Sequence, residues 1–270
     1  MLYMFYRKIF TIIITIIAVI KIMLIFSDLS YGYKRNEYTF SYEYLNPEKD
    51  YGYYKTITFR HFNKINNTTT IFVENYYFSR KIEGEGYLVN FGAYKDWSRN
   101  LYTYTSISKG TRSNYLPDFR IDNEFFFKTL RQKNLVFSLS TAYMRYYSNS
   151  NDFIVGLGFI YYAPKWNFTY KHLINNSNPG SVVSHTDLFS LGIGEEKKSY
   201  LYLTYTSGNQ AYLATYLPTP TLVNNNSYSC MINYRKWFDN NNGIILEYSY
   251  LKLKDTFEKN GFTIGFFNEY

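Results

Sequence analysis

From Asn36 onward apolar and polar side chains alternate one by one. In NEYTFSYEYL (36–45), Tyr38, Phe40, Tyr42 and Tyr44 fall on one face, and Glu37, Thr39, Ser41 and Glu43 on the other. A period of two is that of a β-strand, so this segment predicts a ribbon with one greasy side and one wet side. The device returns in thirteen further segments, near 52–62, 69–79, 87–97, 101–109, 120–130, 135–146, 153–162, 166–174, 184–194, 199–207, 227–237, 243–253 and 261–270. Short turns are predicted at 63–68, 98–100, 131–134, 163–165, 195–198 and 238–242, alternating with longer links, above all 110–119, 175–183 and 208–226.

Short turns at one end and longer loops at the other are the arrangement of transmembrane barrels. With every short turn at one end, both termini share that end, and the strand count is even. Fourteen segments over residues 33–270 leave about 17 residues for each strand and its link, enough for tilted membrane-spanning strands of about 9–11 residues. The expected fold is therefore all-β: a single up-and-down transmembrane antiparallel β-barrel of about 14 strands, 12 and 16 being the neighbouring even counts. The competing architecture is a secreted soluble β-sandwich or small barrel with its apolar face inside. Small residues and scattered charges on the polar faces make a poor sandwich core. Tyrosines towards segment ends (Tyr44, Tyr143, Tyr161, Tyr234, Tyr250) suit an interfacial girdle.

Residues 1–32 break the pattern. Arg7 and Lys8 precede an apolar run from Ile9 to Phe26 interrupted only by Lys21, and Ser30 and Gly32 follow. A basic start, apolar middle and small-residue exit predict a signal peptide over 1–32, with the barrel domain over 33–270. A retained signal anchor is the other reading. An exported barrel lodges in the outer membrane of a Gram-negative envelope, with outer-membrane lipid as its surroundings.

Composition narrows the picture. The chain is 22% aromatic and 46% apolar, which excludes a polytopic helical membrane protein and argues against disorder. A single cysteine, Cys230, and three histidines (His61, His172, His185) leave no material for a disulfide framework or a zinc–thiolate cluster, and no cofactor is expected. Residues 33–270 carry 26 Lys and Arg against 20 Asp and Glu, scattered rather than gathered in a stripe, so nucleic acid is not an expected partner.

The chain resembles the YaiO family of outer-membrane β-barrel proteins. TAYMRYYSNSNDFIVGLGFIYYAPKW (141–166) carries the family-like Tyr-rich strand, short polar loop, Gly-x-Gly strand and turn ending in Trp166. YLPDFRIDNEFFF (115–127) and SYSCMINYRKWF (227–238) are similar to other family segments. The likeness spans most of 33–270 in its spacing and in its aromatic and glycine positions. It implies location and fold, and no catalytic residues. The ending also resembles an outer-membrane insertion signal, implying the barrel-assembly machinery as a partner of the C-terminal strand. Phe262, Ile264 and Phe266 share a face with Tyr270, and Asn268 interrupts it.

The densest polar face is Arg120, Asp122 and Glu124, with Lys128 beyond Phe126; it points inward if Ile121, Phe125 and Phe127 face lipid. Glu37, Glu43, Glu74, Lys171, Arg235 and Glu247 share that parity in their own segments. These charges form either a constriction for a solute or mutually neutralising pairs that fill the lumen and rigidify its wall, the reading that alternating signs favour. Loss of the Glu124 charge is one that water or Arg120 should partly compensate. The functional classes are thus a surface scaffold or binder, a narrow pore with a charged lumen, and an outer-leaflet hydrolase. For the hydrolase, His185-x-Asp187 beside Ser184, and Glu83 with Glu85, are the candidate groups. Adjacent strand residues point to opposite faces, so Ser184 and His185 should diverge. Gly156-x-Gly158 has no helix after it, which excludes phosphate binding there. The Tyr-Leu-Pro stretches 115–117 and 216–218 are expected in loops that fold into the mouth or lie ordered above it.

Overall fold

Each alternating segment can satisfy its backbone hydrogen bonds only through a neighbour on either side, and in a membrane no edge can be left open. The protein, described here by a computed structural model over residues 32–113, 115–129, 132–209 and 226–270, solves this with a closed antiparallel barrel in which each strand pairs its sequence neighbours and β1 pairs β14. The strands are β1 (Lys34–Asn46), β2 (Tyr53–Asn66), β3 (Thr69–Arg80), β4 (Gly84–Asp96), β5 (Leu101–Gly110), β6 (Pro117–Thr129) and β7 (Leu135–Tyr146). They continue as β8 (Asn151–Ala163), β9 (Trp166–Asn178), β10 (Val182–Glu195), β11 (Ser199–Gly208), β12 (Ser227–Trp237), β13 (Asn242–Leu253) and β14 (Phe257–Glu269). All fourteen predicted segments are strands. One short helix, α1 (Glu48–Tyr51), lies between β1 and β2. Residues 1–31 of the expected signal peptide and the Tyr-Leu-Pro stretch 216–218 lie outside the described residues.

The alternation fixes the faces. Tyr38, Phe40, Phe125, Phe127, Leu157, Phe262 and Ile264 stand exposed on the outside, the condition of a lipid-facing wall. Tyr44, Tyr143 and Tyr250 lie near the strand ends at the loop end, and Tyr161 and Tyr234 near the turn end, where β1 begins and β14 ends.

Link lengths are more even than the sequence suggests. The predicted link 175–183 shrinks to 179–181, because β9 runs on to Asn178 and β10 begins at Val182. The link 110–119 becomes 111–116, Pro117 taking the first position of β6, where a strand tolerates proline. Ladder pairing continues past the apolar band, so loss of alternation does not end a strand. At the turn end, Asp239 accepts hydrogen bonds at 2.7 Å from the backbone amides of Asn241 and Asn242, and one from the Asn242 side chain. These hold its carboxyl below the usual carboxylate range and close the β12–β13 turn.

The interior is less polar than its parity implies. β3 is apolar on both faces: Ile71 and Val73 share one, while Phe72, Tyr76 and Phe78 share the other with Glu74. At the loop end Tyr115 and Leu116 fold in and pack with Tyr76, Phe78 and Leu88. The Tyr115 hydroxyl donates to the Gly84 carbonyl at 3.1 Å, and the Arg80 guanidinium lies 3.9 Å from the Tyr115 ring centre. The first Tyr-Leu-Pro stretch therefore folds into the mouth. A second cluster joins Met144, Tyr146 and Ile154 of β7 and β8 to Leu251 and Leu253 of β13. Those strands stand across the barrel from one another, so this cluster bridges the lumen. At the turn end Trp237, Ile245 and Phe267 form a third, with Trp237 and Phe267 edge to face at 4.9 Å.

Candidate functional site

Between these apolar clusters the inward charges meet. Arg120 and Asp122, two residues apart on β6, form a bidentate pair with both bonds at 2.7 Å. Arg120 is taken up by Asp122, and the cation beside Glu124 is a different one. The Glu124 carboxylate takes the Lys171 ammonium at 2.5 Å, from β9, three strands away. Lys128 stands apart, its ammonium 4.8 Å from the Tyr102 ring centre. All of Arg120, Asp122, Glu124 and Lys171 are at least nine-tenths buried. A small cavity lies beside them, lined by Tyr104, Ser140, Ala142, Ile154 and Leu173.

The reach of Lys171 is written into the intervening strands. The register aligns Lys171 with Gly158, Gly158 with Ser138, and Ser138 with Phe126; one step over it aligns Leu173, Gly156, Ser140 and Glu124. Small residues on β7 and β8 thus clear a channel along the inner wall for the lysine stem. A Cβ on Gly158 would come within 2.6 Å of Lys171 Cγ and 2.5 Å of the Tyr170 carbonyl oxygen. The Gly-x-Gly stretch serves side-chain passage.

A second network centres on Glu37 of β1, 3% exposed. Arg35 and Arg235 each reach it at 2.8 Å and Arg60 at 3.5 Å. Arg60 also holds Glu74 at 3.0 Å, and Asn90 donates to Glu74 at 2.7 Å. Arg235 comes from β12, with β13 and β14 between. Lys259 pairs with Glu43 at 2.7 Å, and Asn233 donates to Glu247 at 2.8 Å. Glu269 near the chain end collects Arg35, Lys197, Tyr33 and the Trp237 ring N–H. Sequence reasoning named neither Arg35 nor Glu269, although Arg35 shares the parity of Glu37.

The groups considered for hydrolysis do not assemble. Ser184 points inward, 2% exposed, while His185 points outward. Asp187 accepts from His172 Nδ1 at 2.9 Å and from the Tyr170 hydroxyl at 2.8 Å, not from His185. Glu83 is engaged by Tyr54 and Arg80, and Glu85 stands opposite Ser79 on β4. Among the described residues no three His, Cys, Asp or Glu side chains converge on a metal position.

Comparison with known proteins agrees with this architecture. The model of the YaiO membrane β-barrel domain matches residues 35–213, which reach past β11. The similar segment 227–238 and the C-terminal strand lie beyond that match. No curated protein matches the chain. Among solved structures, the CymD monoaromatic hydrocarbon channel is similar with a TM-score of 0.58 at 5% identity, over 89% of each chain. The Acinetobacter baumannii outer membrane protein Omp33 is similar at 0.53 and 10% identity, over 87% of this chain and 98% of its own. An anion-selective porin from Comamonas acidovorans is similar at 0.50 and 8% identity, over 88% and 99%. These likenesses concern the fold. With the family match and the lipid-facing wall, they place the protein in the outer membrane.

Proposed function

The chain belongs to the family of YaiO membrane β-barrel domains, and we propose that it acts there as a surface scaffold whose lumen is occupied by its own side chains. One observation carries this reading. The charges that would form a selective constriction are spent on one another along the inner wall, in Glu124–Lys171 and Glu37–Arg235. Buried charges satisfied in this way rigidify a wall and offer little to a passing solute. Apolar clusters above and below add to the filling. The scaffold presents its loop end outward, and outer-membrane lipid covers the apolar wall. The assembly machinery reads β14, where Phe262, Ile264 and Phe266 face out.

Vesicles containing the protein should not swell in iso-osmotic small sugars faster than protein-free vesicles. Swelling that depends on sugar size would instead support the narrow charged pore. The topology is tested separately: an epitope inserted at Gly180 should be stained on intact cells, and one between Asp239 and Asn240 only after permeabilisation. The reverse pattern would invert the barrel in the membrane.

A further inference from the structure

Among the described residues, the lipid-facing wall carries an ionisable cluster that the lumen account does not use. Tyr170 and His172 of β9 and His185 and Asp187 of β10 all point outward, and Asp187 is paired with His172 in the ladder. The row of paired residues through them runs Leu157, His172, Asp187, Ser207, Tyr228, Lys252. It climbs from the apolar middle of the wall, where Leu157 is 62% exposed, to the charged rim, where Lys252 pairs with Glu258 at 2.6 Å. The cluster therefore runs from the middle of β9 at His172 towards the loop end of β10 at His185. Ionisable side chains on a lipid face cost stability and mark a role.

We propose that His172 and His185 form a chelating site for a divalent transition metal of the zinc, nickel and copper class. His172 Nε2 and His185 Nδ1 lie 3.3 Å apart. That is long for a hydrogen bond from a ring N–H, where about 2.7–3.2 Å is usual. It matches the separation of two nitrogens on one tetrahedral metal at about 2.0–2.1 Å from each, which is about 3.3–3.4 Å. Asp187 occupies the position a carboxylate takes behind a metal-bound histidine. It accepts the Nδ1–H of His172 at 2.9 Å, fixing the tautomer that leaves Nε2 free to ligate, and Tyr170 steadies the carboxylate at 2.8 Å. Asp187 is turned to the far edge of the imidazole, so it supports the site from behind and does not complete a third ligand. Water or a headgroup oxygen fills the open positions. Imidazole nitrogens select this metal class over calcium and magnesium, which prefer oxygen.

The test is calorimetric titration of the refolded full chain in detergent with Zn2+ and Ni2+, with Mg2+ as the hard-cation control and Cys230→Ser as background. One metal should bind per chain. His172→Ala and His185→Ala should each abolish binding, and Asp187→Asn should weaken it about 10- to 100-fold. Both alanine variants remove polar atoms from a lipid-facing surface, so the barrel should fold as before; a heat-modifiable gel shift reports this on the same samples. Zn2+ heats no larger than those of Mg2+, or binding that persists in His185→Ala, would overturn the assignment and leave a plain hydrogen-bonded pair.

Discussion

Lys171→Met should destabilise the folded barrel by about 3–5 kcal/mol, the cost of leaving one member of a buried ion pair without its partner. Glu124 is 5% exposed and takes the Lys171 ammonium in the lumen. Arg120, the nearer cation along β6, is already held at both ends of its fork by Asp122. Glu124→Gln should show a loss in the same direction, smaller because an amide can still accept a hydrogen bond from the lysine. The double variant Glu124→Leu/Lys171→Met should recover most of the stability, since apolar residues of similar volume replace a buried pair at little net cost. Urea titration of folding into lipid vesicles measures all three. A double variant as unstable as the sum of Lys171→Met and Glu124→Leu measured singly would mean that the two residues do not act as a pair.

Phe125→Arg is the second large effect, from the opposite face of the same strand. Phe125 is 43% exposed on the outer wall of β6, two residues from the strand's midpoint at Asn123. Arginine on the lipid face near the bilayer midplane costs about 2–4 kcal/mol. Folding into vesicles should fall by that amount, while Asn123, two residues away on the same face, shows how polar atoms are tolerated there: it accepts a hydrogen bond from Thr105 at 3.0 Å. If Phe125→Arg folds as well as the parent and Lys171→Met does too, the inside and outside have been assigned wrongly. Folding in buffer without lipid is the control that a soluble β protein would pass.

The period of two made the strands and their faces legible, because every strand is in contact with lipid on one side only. The inward positions of Arg120, Asp122, Glu124, Lys128 and Lys171 follow from parity alone. Who pairs with whom does not. The Glu124–Lys171 contact depends on three successive ladder registers and on the small residues Gly158 and Ser138 beneath the lysine stem. A residue-by-residue parity carries none of that. Spacing along one strand shows only the two- and four-residue neighbours of Glu124, among which the cations are Arg120 and Lys128. The signal that pointed to the true path was present in Gly156-x-Gly158 and Ser138-x-Ser140, small residues at inward positions of adjacent strands.

Other features were hidden for different reasons. The aromatic lumen of β3 was masked because Phe72, Tyr76 and Phe78 break the polar inner face, and tyrosine reads equally as girdle or as filling. Loop lengths misled at 175–183 because backbone pairing is indifferent to side-chain polarity above the membrane. The outward His172–Asp187 contact follows from the register of the β9–β10 hairpin, which the long expected link 175–183 left open. His185-x-Asp187 drew attention to Asp187, and the ladder then supplied a different histidine.

The account turns on a lumen filled by the protein's own side chains, and single-channel recording in planar bilayers tests that most directly. The wild-type barrel, inserted and verified as folded, should give no discrete conductance steps under applied voltage. Removing residues that fill the lumen and its mouth together, as Arg235→Ala with Lys171→Ala and Tyr115→Ala, should produce steps in the same membranes and show that insertion occurred. Stable ohmic steps from the wild-type protein, with an ion preference that changes in Glu124→Gln, would contradict the scaffold and establish a charged pore in its place.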